Sequence, residues 1–222
     1  MGVGVKICGL TRPDDLRCAS EHGAAMTGFV FFPPSPRSLD PARWRALAVH
    51  RDRSIPAVGV MVDPSDDWIA EVLDAAPLEW IQLHGQETPE RVAEVGHRFG
   101  VDTIKAFGVR EAADVARAGA YEAAADMLLF DARSSGPVPG GNGLAFDWRL
   151  LAGRTGRAPW LLSGGLNEDN LAHAVRTTGA AMVDLSSSIE SAPGIKDRDG
   201  MKRVLARAAL LCASEDEVHD DA

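Results

Sequence analysis

The sequence predicts a closed (β/α)8 barrel, and three observations carry that prediction. Short apolar runs alternate with helical stretches along the whole chain. Eight such units of roughly 28 residues each fill the 222 residues and leave no room for a second domain. The runs are rich in Val, Ile, Leu and Phe and bounded by Gly, Pro or Asp, the pattern of parallel strands buried on both faces. An open doubly wound sheet is the alternative. It expects a Gly-x-Gly-x-x-Gly turn after the first strand, whereas Cys8-Gly9-Leu10 stands there.

The predicted strands are 3–8, 27–32, 57–62, 80–84, 103–107, 127–131, 160–163 and 181–186. The predicted helices are 13–22, 41–50, 65–75, 89–98, 111–118, a short one near 147–152, 168–177 and 198–212. Asp40-Pro41, Asp63-Pro64-Ser65 and Thr88-Pro89 each put a capping oxygen beside a proline, which fits the first turn of a helix because no donor is lost there. Gly23, Gly100, Gly119 and Gly179 stand where helices stop. The barrel is expected over 1–213. The tail 214–222, SEDEVHDDA, is acidic and aperiodic, and disorder is expected there.

Composition narrows the function. Apolar residues make up 45% and charged residues 25%, ordinary for a globular chain. A net charge of −9 without a Lys/Arg cluster argues against nucleic acid. No apolar run is long enough for a membrane span, and no signal peptide is visible. Three cysteines, Cys8, Cys18 and Cys212, are an odd number without zinc-type spacing, so neither a disulfide framework nor a metal site is expected and the cytoplasm is the simpler compartment. A monomer is the default expectation and a homodimer the alternative.

In such a barrel the ligand site lies at the C-terminal strand ends. The first strand ends in Cys8, which acts as a base only as a thiolate. Lys6 shares its strand parity and points to the same interior, where it could favour the thiolate; a small core thiol with a paired lysine is the competing reading. The sixth strand ends in Asp131 after Met127–Phe130, so partial desolvation raises its pKa and suits it to donate a proton; a helix cap or a pair with Arg133 is the alternative. Ser163-Gly164-Gly165-Leu166 before a helix, with Ser186-Ser187-Ser188 after the eighth strand, offers backbone donors to a phosphate. Arg37 sits in the proline-stiffened loop 33–38, ready for a carboxylate or phosphate. His84 stands at a strand end as a ligand contact or a hydrogen-bonded packing histidine. Asp63 and Asp184 are caps or substrate contacts, Asp63 reading more as a cap and Asp184, on the face of Ser186, pointing to the site. The segment 135–143, SGPVPGGNG, is long enough for a lid.

The ordered set Val5-Lys6-Ile7-Cys8-Gly9-Leu10-Thr11, Phe31 to Arg37-Ser38, Gln82-Leu83-His84-Gly85, Phe130-Asp131, Gly140-Gly141-Asn142-Gly143 with Phe146-Asp147-Trp148, Ser163-Gly164-Gly165-Leu166 and Pro193-Gly194-Ile195-Lys196-Asp197 resembles the phosphoribosylanthranilate isomerase family of tryptophan biosynthesis. The resemblance runs from about Val3 to Leu205. It implies an aldose–ketose isomerase that carries out an Amadori rearrangement of N-(5-phosphoribosyl)anthranilate, the third step from chorismate, with no cofactor or metal. It further implies that Cys8 is the general base and Asp131 the general acid. Arg37, His84 and Asp184 would then contact the substrate, and Gly164, Gly165, Ser187 and Ser188 would hold its phosphate. Two positions depart from the family pattern: Asn142 replaces a threonine and Ser188 a glycine. A serine at 188 is unstrained only if its φ is negative. Other phosphate-binding barrels of tryptophan or histidine synthesis are the nearest alternatives. They differ by lysine and glutamate, or by an aspartate in place of Cys8, at the strand ends. A barrel that binds a phosphorylated metabolite without turning it over is the third reading.

Overall fold

A computed structural model describes residues 2–132 and 146–211. Eight parallel strands close into a barrel in sequence order: β1 (Gly4–Ile7), β2 (Met26–Val30), β3 (Ala57–Met61), β4 (Trp80–Leu83), β5 (Asp102–Val109), β6 (Met127–Ala132), β7 (Trp160–Leu162) and β8 (Met182–Leu185). Closure is made by β1 against β8, with Lys6 opposite Asp184. The helices are α1 (Pro13–Glu21), α2 (Pro41–Ala48), α3 (Asp66–Ala75), α4 (Pro89–Phe99), α5 (Ala112–Arg117), α6 (Leu171–Thr178) and α7 (Arg198–Ala209). A 3-10 turn at Trp148–Leu151 stands where the short helix is expected. The expected lid 135–143, Asn142 and the acidic tail lie outside the described residues.

Strand alternation separates two apolar layers. Met26, Val58, Ile104, Met127, Leu129 and Leu161 pack inside the barrel. Outward residues such as Ile7, Phe29, Leu83, Phe130 and Val183 pack under the helices. Trp44 of α2 is fully buried in that outer layer, its ring 4.6 Å from Phe29, and its Nε1 donates to the Ala76 carbonyl at 2.9 Å. Burial of a side chain of this kind is worth about 1.5–3 kcal/mol. The two proline-started caps work as expected: Asp40 and Thr88 accept from the amides of Arg43 and Arg91.

Three local expectations are corrected, and one element is added. Asp63 is not the cap of α3; Ser65 accepts from the Trp68 amide, while Asp63 adopts φ +44 and accepts from the Gln86 amide at 2.6 Å. The helix after Gly164-Gly165 starts at Leu171 rather than 168, because the Asn167 side chain accepts from the amides of Asp169 and Asn170 and forms a turn first. β5 is longer than expected because it stays paired with β6 as far as Val109 and Ala132. A hairpin not expected from sequence, β9 (Glu190–Ala192) and β10 (Ile195–Lys196), follows β8.

Candidate active site

The C-terminal strand ends bring Cys8, Arg37, His84, Asp131 and Asp184 onto the walls of one cavity. Gln82, Ser163 and Ser186 complete its polar lining, and Val30, Val60 and Phe32 its apolar side.

Cys8 is nearly buried, and its amide donates to Leu185 across the β1–β8 seam at 2.8 Å. Its neighbour on β2 is a glycine for a steric reason: a Cβ at Gly28 would lie 3.0 Å from the Cys8 sulfur. Lys6 does point inward beneath Cys8, fully buried, but its Nζ is committed to Asp184 Oδ1 at 2.7 Å. Burial pushes the Cys8 thiol above its usual value, although Lys6 and Lys196 pull the other way. Lys6 thus favours the thiolate, as expected, but does not outweigh burial. The lysine's charge is shared with Asp184, and desolvation outweighs what remains.

Asp131 is 6% exposed and is the penultimate residue of β6, where its Oδ1 accepts from the Ala132 amide at 2.8 Å. Burial first, and the charge of Asp184 second, push it up to about 7. A carboxyl of that kind holds its proton near neutrality and can give it up. Ser163 Oγ donates to Asp184 Oδ2 at 3.3 Å, so Asp184 is tied on both oxygens while still lining the cavity.

His84 Nδ1 lies 3.0 Å from Gln82 Nε2, and its Nε2 lies 3.8 Å from Asp131 Oδ2. Burial, then Lys105 and Lys6, push the imidazole down to about 3. His84 is therefore neutral at working pH, and its approach to Asp131 is neither an ion pair nor, at that distance, a hydrogen bond. Lys105 braces the loop carrying His84 from outside the barrel. Its Nζ donates to the carbonyls of Leu83 and Gly85 and to Glu87 Oε2 at 2.8 Å.

Arg37 reaches the cavity across Gly9, where a Cβ would lie 2.5 Å from Arg37 Cδ. Its Nε and Nη2 donate to the two oxygens of Glu190 at 2.8 and 2.7 Å. Gly164 and Gly165 take φ +88 and +65, and their amides have no acceptor among the described residues. They follow β7, and Ser187 and Ser188 open a 3-10 turn after the neighbouring β8; none of the four is on the cavity wall itself. Ser188 has no positive φ, so the serine there is unstrained. Sequence reading missed Glu190 and Lys196 as neighbours of the site. Glu190 lies 153 residues from Arg37, and no local pattern joins them. Gln82 and Ser163 carried a usable signal, since each shares strand parity with a predicted site or interior residue.

A family model described as N-(5'phosphoribosyl)anthranilate (PRA) isomerase matches residues 5–207. The chain belongs to this family. N-(5'-phosphoribosyl)anthranilate isomerase of Rhodospirillum centenum is 52% identical over 95% of this chain and all of its own length. That of Paracoccus denitrificans is 50% identical over 94% of this chain and 98% of its own. Among solved structures, the phosphoribosyl anthranilate isomerase of Thermotoga maritima is 35% identical, with a TM-score of 0.85 over 94% of this chain and all of its own. A phosphoribosyl anthranilate isomerase in complex with reduced 1-(o-carboxyphenylamino)-1-deoxyribulose 5-phosphate is 33% identical, with a TM-score of 0.80 over 94% of this chain and all of its own.

Proposed function

We propose that this chain is a phosphoribosylanthranilate isomerase of tryptophan biosynthesis that converts N-(5'-phosphoribosyl)anthranilate to 1-(2-carboxyphenylamino)-1-deoxyribulose 5-phosphate. The observation that carries the chemistry is the pairing of Cys8 after β1 with Asp131 on β6, whose pKa is raised to about 7, around one cavity. Asp131 gives its proton to the furanose ring oxygen, and the ring opens to a protonated Schiff base. Cys8, as the thiolate, takes the proton from C2 of the sugar, which the cationic imine acidifies. The resulting enolamine then becomes the ketone.

Arg37 receives the ring carboxylate, in keeping with its place on the wall and its stiff loop. Neutral His84 donates a hydrogen bond to the substrate, and Asp184 positions the sugar while held by Lys6 and Ser163. The phosphate sits on the Gly164, Gly165, Ser187 and Ser188 segment, where the two glycine amides have no acceptor among the described residues. The test is decay of substrate fluorescence on adding enzyme. Cys8→Ser and Asp131→Asn should each lower kcat by about 10²–10⁴-fold with the fold intact, the usual weight of a general acid or base. Near-native turnover in either variant removes the proposed roles.

The free thiols of Cys8 and Cys18 support a reducing cytoplasm. Among the described residues no helix is long and apolar enough to cross a membrane. A monomer is our reading of assembly. It is supported by the scatter of the exposed large apolar residues Val49, Ile195 and Leu210, and sedimentation equilibrium tests it.

A further inference from the structure

The β9–β10 hairpin is built into the rim of the cavity. Thr11 Oγ1 donates to the Gly194 carbonyl at 2.6 Å, tying the hairpin turn to the loop after β1. Lys196 N donates to Asp15 of α1. A Cβ at Gly194 would lie 3.3 Å from the Pro36 carbonyl oxygen, so the turn also packs on the Arg37 loop. Three charges meet there. Glu190 takes the Nε and Nη2 edge of Arg37, and the Arg37 Nη1 has no partner among the described residues. Lys196, its side chain wholly buried, donates to Glu190 Oε1 at 2.8 Å and to the Ser186 carbonyl at 2.9 Å.

An arginine paired bidentately with a glutamate is electrically neutral and a poor anion receptor. With Lys196 on the same glutamate, the cluster keeps one net positive charge. The fork geometry also removes the rotamer freedom of a long side chain, which would otherwise be lost on binding. We propose that Glu190 and Lys196 are positioning residues that determine specificity for a ring carboxylate: Glu190 aims the guanidinium of Arg37 at the cavity, and Lys196 offsets the charge that Glu190 brings. The inference rests on the reading of Arg37 as the carboxylate contact.

Two compounds separate it from a general structural role: reduced 1-(o-carboxyphenylamino)-1-deoxyribulose 5-phosphate and its phenylamino counterpart without the carboxylate. Arg37→Ala should weaken the first about tenfold and leave the second within about twofold, the loss of one aligned charge-assisted contact. Glu190→Ala and Lys196→Met should each give the same selective loss, by about three- to tenfold, through a misaligned or neutralised receptor. The Arg37→Ala/Glu190→Ala double variant should bind no more weakly than Arg37→Ala alone. If Glu190→Ala does not fold, Glu190→Gln, which keeps a neutral acceptor for the guanidinium, takes its place with a smaller selective loss. The inference is overturned if the hairpin variants weaken both compounds equally or neither, while Arg37→Ala remains selective. An Arg37→Ala variant without selectivity overturns the reading of Arg37 and the inference with it.

Discussion

At the scale of single residues, the proposed acid and base titrate in an order that shapes the pH profile. Asp131 titrates at about 7, and Cys8 above the usual thiol range. The competent form has the first protonated and the second ionised, so it is a minor species at every pH. Below about pH 7, each unit of pH raises the thiolate fraction tenfold while Asp131 stays protonated, so kcat/KM should climb. Above that, gain of thiolate offsets loss of acid and the profile should flatten, then fall beyond the Cys8 pKa. In Asp131→Asn the break near pH 7 should vanish from the residual activity; a break that persists assigns it to another group.

The same group has a stability signature. Its folded pKa of about 7 exceeds the ordinary aspartate value of 3.8, so the folded state binds the extra proton between those values and loses stability as pH rises through that window. Asp131→Asn should therefore stabilise the protein more at pH 8 than at pH 4, by about 2–4 kcal/mol in urea unfolding. An equal effect at both pH values counts against the raised pKa. Such a gain would place Asp131 among the groups kept for chemistry at the expense of stability.

At the scale of elements, the turn after β7 shows how packing and ligand binding compete to explain one sequence signal. Gly164-Gly165 reads as a phosphate loop. In the fold, Gly164 is also the point where this turn meets β6: a Cβ there would lie 2.5 Å from the Ala132 amide nitrogen and 3.1 Å from Asp131 Oδ1, at φ +88. Gly164→Ala should cost roughly 2–4 kcal/mol of stability through strain and overpacking, and shift Asp131 enough to lower kcat. Thermal unfolding and steady-state rates check both. An unshifted melting temperature with raised KM alone would leave phosphate binding as the sole role of the glycine.

At the scale of the molecule, the barrel is closed by residues from its two ends. Lys6 of β1 and Asp184 of β8 face each other in register, 178 positions apart, and form a buried ion pair beneath the cavity. Lys6→Met strands a buried carboxylate and should destabilise the protein by about 3–5 kcal/mol, whereas Lys6→Met with Asp184→Asn should recover part of that loss. Denaturant unfolding of the two variants is the measurement, and a double variant no better than the single would argue that the pair is not coupled. The closure therefore holds the fold together and holds Asp184 at the site with the same contact.

The sequence by itself determined the strand–helix rhythm, because burial on both faces of a parallel strand demands continuous apolar runs. The rhythm in turn located the strand ends, so Cys8, Arg37, His84, Asp131 and Asp184 could be named before any coordinates. Strand parity even put Lys6 inside. What tertiary structure alone decided is charge and partnership. Whether Cys8 is a thiol depends on desolvation and on Lys6 beside it, and on Asp184 and Lys196, which arrive from β8 and the hairpin after it; whether Asp131 is an acid depends on desolvation and on Asp184 and Lys6, which arrive from other strands. The Arg37–Glu190 fork and the delayed start of α6 were likewise out of reach. The fork is a contact between distant segments, and the α6 start is a contest between an Asn turn and helix propensity, which side-chain hydrogen bonds settle in space.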